Sequence, residues 1–195
     1  MTVEPEVRRF TQPSRRFSLW IAAMLVAIAW GSDQATKVWV ERTLALGERI
    51  EAIPPVLYWQ YHLNPGAAFS IGTQYTGIFT LISVAVLVLG LVHLRKLGGS
   101  WLWAIAAGVF LGGVAGNLTD RLLRAPSLQG DVSSFGQGHV VDFIAVPGVA
   151  IMNLSDVFIV SSLIGICALA LWGPRLHNHA TQTKSAPTPD TDASS

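Results

Sequence analysis

The sequence predicts an all-α membrane protein with four transmembrane helices, both termini in the cytoplasm, and a small extracytoplasmic β-sheet. Hydrophobic residues make up 51% of the chain and charged residues 13%, whereas soluble domains average about 25% charged residues. The mean hydropathy is +0.46. Four apolar segments are each long enough to provide the roughly 20 helical residues that cross a bilayer core. At 195 residues, the chain has room for one membrane domain, at about 19–172.

The predicted spans cover about residues 19–40, 75–94, 101–123 and 151–172. Arginines ahead of the first span are also typical of a secretory signal. Apolar residues resume after Asp33, however, and no small-residue cleavage site follows. We therefore expect an uncleaved first helix.

The distribution of Lys and Arg predicts the orientation of these spans. Basic residues lie before the first span, after the fourth span, and in the connection between spans two and three. They are Arg8, Arg9, Arg15, Arg16, Arg95, Lys96 and Arg175. The connection 41–74 has more acidic than basic residues. Because basic loops stay in the cytoplasm, we expect residues 1–18 and 173–195 inside, and 41–74 and 124–150 outside. The tail 173–195 has little apolar content and is predicted to be disordered.

The outer segment 50–72 is predicted to form a small sheet on the membrane surface. Pro54 and Pro55 interrupt any helical pattern, and residues 56–61 are rich in aromatic and β-favouring side chains. A turn at Asn64-Pro65-Gly66 is expected to close the sheet.

Several polar residues lie inside the apolar spans. Asp33 and Lys37 are four residues apart, so they share a helix face and can form an ion pair. Taken alone, this spacing favours a pair that snorkels to the outer interface. Gly108, Gly112 and Gly116 recur every four residues, which favours close packing against a neighbouring helix.

The outer end of the third span has a polar stripe whose spacing leaves its role open. Asn117, Asp120, Arg121 and Arg124 lie on one helix face. They could anchor the helix end as a charge cluster or line a functional cleft. Spacing alone does not distinguish these two interpretations.

Asp142 and Asp156 are the leading candidates for catalysis. A carboxylate at bilayer depth costs roughly 2.5–3.5 kcal/mol, so such residues suggest function. Asp142 is flanked by apolar residues on both sides, and Asp156 follows Asn153 near the start of the fourth span. The two must converge from a loop and a helix start, where one protonated and one ionised carboxyl can activate water. The alternative is that Asp156 stabilises the helix N-terminus and Asp142 is solvated.

Other chemistries have little support in the sequence. Cys167 is the only cysteine, and the five histidines lack the spacing of a zinc site; His139 is expected to be a surface residue. No phosphate-binding loop is present, and basic patches suited to nucleic acid are absent. We expect neither a metal nor an organic cofactor.

Five motifs together resemble the lipoprotein signal peptidases, also called signal peptidase II, over about residues 19–172. They are Asp33-Gln34-Ala35-Thr36-Lys37, Asn64-Pro65-Gly66-Ala67-Ala68-Phe69-Ser70, Gly112-Gly113-Val114-Ala115-Gly116-Asn117-Leu118-Thr119-Asp120-Arg121, Val140-Val141-Asp142-Phe143 and Asn153-Leu154-Ser155-Asp156.

The resemblance implies an intramembrane aspartic endopeptidase in the bacterial cytoplasmic (inner) membrane, with its active site on the extracytoplasmic side. Its catalytic pair would be Asp142 and Asp156. Its substrate would be a diacylglyceryl-modified prolipoprotein, cut on the N-terminal side of the modified cysteine. Membrane lipids and globomycin-type inhibitors are the other implied partners, and we expect a monomer.

The resemblance also implies roles for eight further residues. Asn64 and Gly66 would belong to the substrate cradle. Asn117, Arg121 and Asn153 match polar residues around the active site, and Asp33, Lys37 and Asp120 match residues that shape or stabilise it.

The sequence departs from the family pattern in two places. Ser155 stands where the family usually has alanine, and its hydroxyl is expected to tune the neighbouring carboxyl. The connection 122–138 is longer than usual and is expected to be a mobile outer loop. A proton-coupled transporter and a membrane assembly factor remain as alternatives. A transporter would spread its acids across the bilayer, whereas here they concentrate on the outer side.

Overall fold

The computed structural model describes residues 13–66, 76–95, 99–125 and 135–172. Within these ranges, four helices are long and apolar enough to cross a membrane. They are α1 (Arg15–Thr43), α2 (Thr76–Leu94), α3 (Trp101–Leu123) and α4 (Leu154–Trp172). The four predicted spans are therefore confirmed as helices. The predicted tail, and most of the predicted loop at 122–138, lie outside the described residues.

Helix α3 is the centre of the bundle, because it packs against each of the other three helices. Its glycines permit this. A Cβ at Gly112 would lie 2.6 Å from Ala29 Cβ of α1, and one at Gly113 would lie 2.8 Å from the carbonyl oxygen of Ser155 in α4. Such distances are too short for any side chain, so the predicted packing role of the glycine run is confirmed.

A four-stranded antiparallel sheet lies in the connections between α1 and α2 and between α3 and α4. Its strands are β1 (Arg49–Ile53), β2 (Leu57–Asn64), β3 (Val140–Val146) and β4 (Ala150–Met152), in the spatial order β1-β2-β3-β4. The predicted turn does end β2, since the Gly66 N–H donates to Asn64 Oδ1 over 3.0 Å.

Two sequence predictions about the second half of this sheet are wrong. Asp142 lies in strand β3, not in a loop, and the fourth helix begins at Leu154 because 150–152 form β4. Pro147 and Gly148 join these strands in a tight turn, in which the Val149 N–H donates to Val146 O over 3.0 Å. Gly148 has a φ of 74° there, and with Pro before it this is the sequence of a type II turn.

A small hydrophobic core fixes the sheet to the end of α1. Val40 of α1 and Leu44, which directly follows that helix, cluster with Tyr61 of β2 and with Val141 and Phe143 of β3. The two β3 residues flank Asp142 in sequence. The core therefore holds Asp142 between the end of α1 and the start of α4.

Candidate active site

Asp142 and Asp156 line one pocket of about 500 Å³. Its polar end is made by these two carboxylates with Asn64, Asn117 and Arg121. Its apolar wall runs along α4 through Val157, Val160 and Ile164. Since these positions are three and four residues apart, they form one face of the helix. The pocket thus joins two carboxylates to a hydrophobic surface within a membrane span.

Asp142 is buried, with 2% of its surface exposed, so the solvated alternative is wrong. Asn153 Nδ2 donates to its Oδ1 over 2.7 Å, and Asn64 Nδ2 donates to its Oδ2 over 2.9 Å. Burial raises the pKa of Asp142 to about 7, and the negative charge of Asp156 acts in the same direction, against the two amide donors and Lys37. Asp142 therefore exchanges its proton near neutral pH.

Asp156 lies in the first turn of α4 and forms a reciprocal cap with Asn153. The Asn153 N–H donates to Asp156 Oδ2 over 3.0 Å, and the Asp156 N–H donates to Asn153 Oδ1 over 3.0 Å. This arrangement is a capping box, and the helix N-terminus favours a negative charge at this position. Asp156 does stabilise the helix start, as the structural alternative proposed, and it also faces the pocket.

Two asparagines connect the carboxylates. Asn117 Nδ2 donates to Asp156 Oδ1 over 2.8 Å, and its Oδ1 accepts from Asn153 Nδ2 over 3.0 Å and from Lys37 Nζ over 3.2 Å. Because the side-chain oxygen of Asn117 faces two donors, its amide nitrogen must face Asp156. Asn153 contacts both acids, so the two carboxylates belong to one hydrogen-bond network.

Lys37 lies at the centre of a buried ion cluster behind this network. Its Nζ is 2.8 Å from Asp33 Oδ2 and 2.8 Å from Asp120 Oδ2, and all three side chains are 0% exposed. The ion pair predicted from the four-residue spacing is present. The alternative in which the pair snorkels to the interface is wrong.

The two aspartates of the ion cluster also hold the backbone next to each candidate catalytic acid. Asp33 Oδ1 accepts from the N–H of Ser155, the residue before Asp156, over 2.9 Å. Asp120 Oδ2 accepts from the N–H of Val141, the residue before Asp142, over 3.1 Å. One ion cluster therefore fixes both segments.

The polar stripe on α3 divides between the pocket and the ion cluster. Asn117 and Arg121 line the pocket, and Arg121 Nη2 donates to the Gly66 carbonyl over 3.0 Å. Asp120 belongs to the cluster, and Arg124 Nε donates to Asp120 Oδ1 over 3.0 Å. Anchoring and pocket-lining thus occur on the same stripe.

Two contributors were missed by the sequence analysis. Gln34 Nε2 lies 3.1 Å from Asp120 Oδ1, and Glu41 pairs with Arg124. Gln34 lies within the Asp33–Lys37 motif, so the sequence contained a signal for its role. Nothing in the sequence spacing connects Glu41 to Arg124.

Two other sequence expectations concern side chains near the acids. His139 is half-buried, burial lowers its pKa, and His62 lowers it further; it does not line the pocket. The Ser155 hydroxyl is fully buried and has no hydrogen-bond partner among the described residues. No hydrogen bond joins this hydroxyl to the Asp156 carboxyl, and the expectation that it tunes that carboxyl stays a prediction.

Four helices long and apolar enough to cross a membrane, and two carboxylates that line one pocket with residues of the sheet, define a multi-pass membrane protein with an acidic pocket. Residues 24–172 match the family model described as "Signal peptidase (SPase) II". The chain belongs to the signal peptidase II family and is a peptidase of that family. The family prediction from the five motifs is confirmed, and the transporter and assembly-factor alternatives are set aside.

Two similar proteins are named lipoprotein signal peptidases, and one similar solved structure is described as a bacterial membrane enzyme. The lipoprotein signal peptidase of Leifsonia xyli subsp. xyli is 39% identical over 170 residues, covering 87% of this chain and 75% of that protein. The lipoprotein signal peptidase of Mycolicibacterium smegmatis is 37% identical over 163 residues, covering 83% of this chain and 65% of that protein. A solved structure described as a bacterial membrane enzyme matches with a TM-score of 0.64 and 27% identity over 80% of this chain and 87% of that chain.

Proposed function

We propose that this protein is an intramembrane aspartic endopeptidase that removes signal peptides from prolipoproteins. It cleaves on the N-terminal side of a cysteine that already carries a diacylglyceryl group, and Asp142 and Asp156 are its catalytic pair. One observation carries the proposal: the two carboxylates share a pocket and one network of donors, in which burial raises the pKa of Asp142 to about 7. The relatives named lipoprotein signal peptidases support the substrate class.

The two acids have different tasks in this mechanism. Asp142 carries the proton and donates a hydrogen bond to the scissile carbonyl. Asp156 is the base, and the helix N-terminus and the Asn117 amide both face its carboxylate. Asp156 takes a proton from water as the water oxygen bonds to the carbonyl carbon. When the carbon–nitrogen bond breaks, that proton passes to the leaving amine, and Asp142 keeps or regains its own.

The supporting residues hold this pair and its substrate. Asn64 and Gly66 form part of the cradle for the peptide, and Asn117, Arg121 and Asn153 orient the acids or substrate carbonyls. Asp33, Lys37 and Asp120 keep the two acid-bearing segments in register through the backbone contacts of Ser155 and Val141.

The lipid part of the substrate lies against the apolar wall of α4. Val157, Val160 and Ile164 continue the pocket from the acids along the span, which suits acyl chains that remain in the membrane. Anchoring in the bilayer also raises the effective concentration of the peptide at the pocket. We propose that globomycin-type inhibitors bind in this same pocket.

The cellular setting follows the sequence prediction. The protein lies in the bacterial cytoplasmic membrane among its lipids, with both termini inside and the acids toward the extracytoplasmic side. It works as a monomer, because the described chain itself supplies both acids and their donors.

The test uses purified protein and a diacylglyceryl-modified prolipoprotein, with cleavage followed by gel mobility. Asp142→Asn and Asp156→Asn should each lower kcat by about 10²–10⁴-fold, the usual worth of a positioned acid or base. Glu51→Gln, at an exposed position in β1, is the matched control and should retain wild-type activity. Full activity in either active-site variant would refute the assignment of the pair.

A further inference from the structure

Strand β4 is an edge of the sheet. It pairs with β3 on one side only, through Ile144–Met152, Ala145–Ile151 and Val146–Ala150. Among the described residues, no strand pairs with its other edge. Opposed residues in an antiparallel pair alternate between exchanging both backbone bonds and exchanging none. Either Ile151, or both Ala150 and Met152, must therefore direct backbone N–H and C=O groups away from β3.

Strand β4 borders the pocket of the two acids. All three β4 residues line that pocket together with Asp142 and Asp156. A second cleft of about 330 Å³ contains Arg49 and Gln60, and it is also lined by Ala150 and Ile151. Because these two β4 residues line both spaces, β4 is the boundary between them.

We propose that the substrate polypeptide beside the scissile bond binds as an additional strand on the open edge of β4. The proposal rests on the proposed peptidase function and specifies how that peptidase holds its substrate. An extended peptide offers backbone donors and acceptors to an edge strand, and its side chains alternate between two faces. The cleft with Arg49 and the pocket of the acids provide space on the two sides of that strand.

The position of β4 also sets the place of cleavage. Met152 is followed directly by Asn153, the cap that holds Asp156, so a peptide paired with β4 passes beside that acid. A helical substrate segment cannot make these contacts, since its backbone groups are bonded within the helix. The substrate must therefore be extended at the cleavage site.

The experiment is a backbone scan of a synthetic diacylglyceryl-cysteine peptide that spans the cleavage site, with the wild-type enzyme throughout. Each amide within three residues of the scissile bond, but not the scissile amide, is replaced in turn by an ester or by its N-methyl form. At every second position, the ester should lower kcat/KM by about 3- to 10-fold, the effect of losing one hydrogen bond. N-methylation should be more damaging at these same positions, because the methyl group would collide with β4, and both changes should be tolerated at the intervening positions.

Two outcomes separate this proposal from the proposed function. If the unmodified peptide is not cleaved, or if Asp142→Asn cleaves it normally, the proposed peptidase mechanism fails. The unmodified peptide could instead be cleaved while the replacements have no effect, or lower kcat/KM without alternating from one position to the next. In that case the pairing with β4 is wrong and the peptidase function stands.

Discussion

Asp142 is the residue on which the proposed chemistry most depends, because it must keep a proton near neutral pH. Two amide donors stabilise its ionised form, yet burial and the charge of Asp156 outweigh them and raise the pKa of Asp142 from 3.8 to about 7. Between these values the folded protein binds a proton that the unfolded chain does not. This group's contribution to stability is therefore fully present at low pH and is lost as the pH rises toward about 7.

The first residue-scale prediction concerns the pH dependence of kcat/KM. Activity should fall on the alkaline side as Asp142 loses its proton, with a limb near pH 7. Asn64→Ala removes a donor that stabilises the carboxylate, so it should raise the pKa of Asp142 and move this limb to higher pH. The measurement is the pH profile of kcat/KM for both proteins. Glu51→Gln, exposed in β1, should leave the limb unchanged, and a limb that moves to lower pH in Asn64→Ala would contradict the assignment.

A second residue-scale prediction concerns Lys37, the only described cation that directly contacts both Asp33 and Asp120 through its Nζ. Lys37→Met keeps much of the side-chain volume but leaves two buried carboxylates without this charge. Loss of one partner from a buried ion pair costs about 3–5 kcal/mol, so we expect a drop of that size in the free energy of unfolding, measured in detergent micelles.

The control for Lys37 is Arg42→Met, an exposed cation in the last turn of the same helix. Surface positions of this kind contribute about 0.5 kcal/mol or less. Equal losses of unfolding free energy in the two variants would mean that Lys37 contributes no more to stability than an exposed cation does.

At the scale of elements, the glycines of α3 determine how closely α1 and α4 pack against α3 near the two acids. A Cβ at Gly116 would collide with Ser155 Oγ and would lie 2.5 Å from Asp33 Oδ2. It would therefore push away from α3 both α4, which carries Asp156, and α1, which carries Asp33 and Lys37 of the ion cluster. Helix packing and site geometry are linked through this one contact.

The element-scale prediction is that Gly116→Ala lowers both stability and activity. Overpacking costs about 1–3 kcal/mol, seen as a lower unfolding temperature in micelles. Ser155→Ala alone should be close to neutral, because the hydroxyl it removes is buried without a partner among the described residues. Adding Ser155→Ala to Gly116→Ala should restore part of the loss, since the nearest colliding atom is gone.

The matched control is Gly31→Ala in α1, where an added Cβ would meet nothing within 4 Å. Alanine there should be neutral or slightly stabilising, by up to about 1 kcal/mol. If Gly116→Ala behaves in the same way as Gly31→Ala, close packing at Gly116 does not hold the site.

The elements also explain which features the sequence could predict. The third span was predicted at its observed bounds, 101–123, because a long apolar run determines a membrane helix locally. Strand β3 was missed because its partner is β2, in a pairing that joins Asn64 to Val140, and no local pattern encodes such a distant contact. In the same way, spacing predicted the Asp33–Lys37 pair but not the contacts of Asp33 and Asp120 with the backbone before each acid.

At the scale of the whole molecule, chain connectivity restricts where the site can lie. Strands β1 and β2 connect α1 to α2, and β3 and β4 connect α3 to α4. In a chain that crosses the membrane four times, these two connections fall on one side, and both termini fall on the other. The one sheet that contains all four strands fits this arrangement. The basic residues near the termini then predict that the sheet and both acids are extracytoplasmic.

Cysteine labelling tests this orientation. The Cys167→Ala variant has no cysteine and is the background. Single cysteines are then introduced as Glu51→Cys in β1 and as Arg95→Cys just after α2, and both positions are exposed. A membrane-impermeant maleimide applied to intact spheroplasts should label Glu51→Cys at once and Arg95→Cys only after permeabilisation, while the background protein stays unlabelled. The reverse pattern would put the acids on the cytoplasmic side. A substrate whose modified cysteine lies on the extracytoplasmic side of the membrane could not then reach the acids. The predicted orientation and the proposed function therefore depend on the same result.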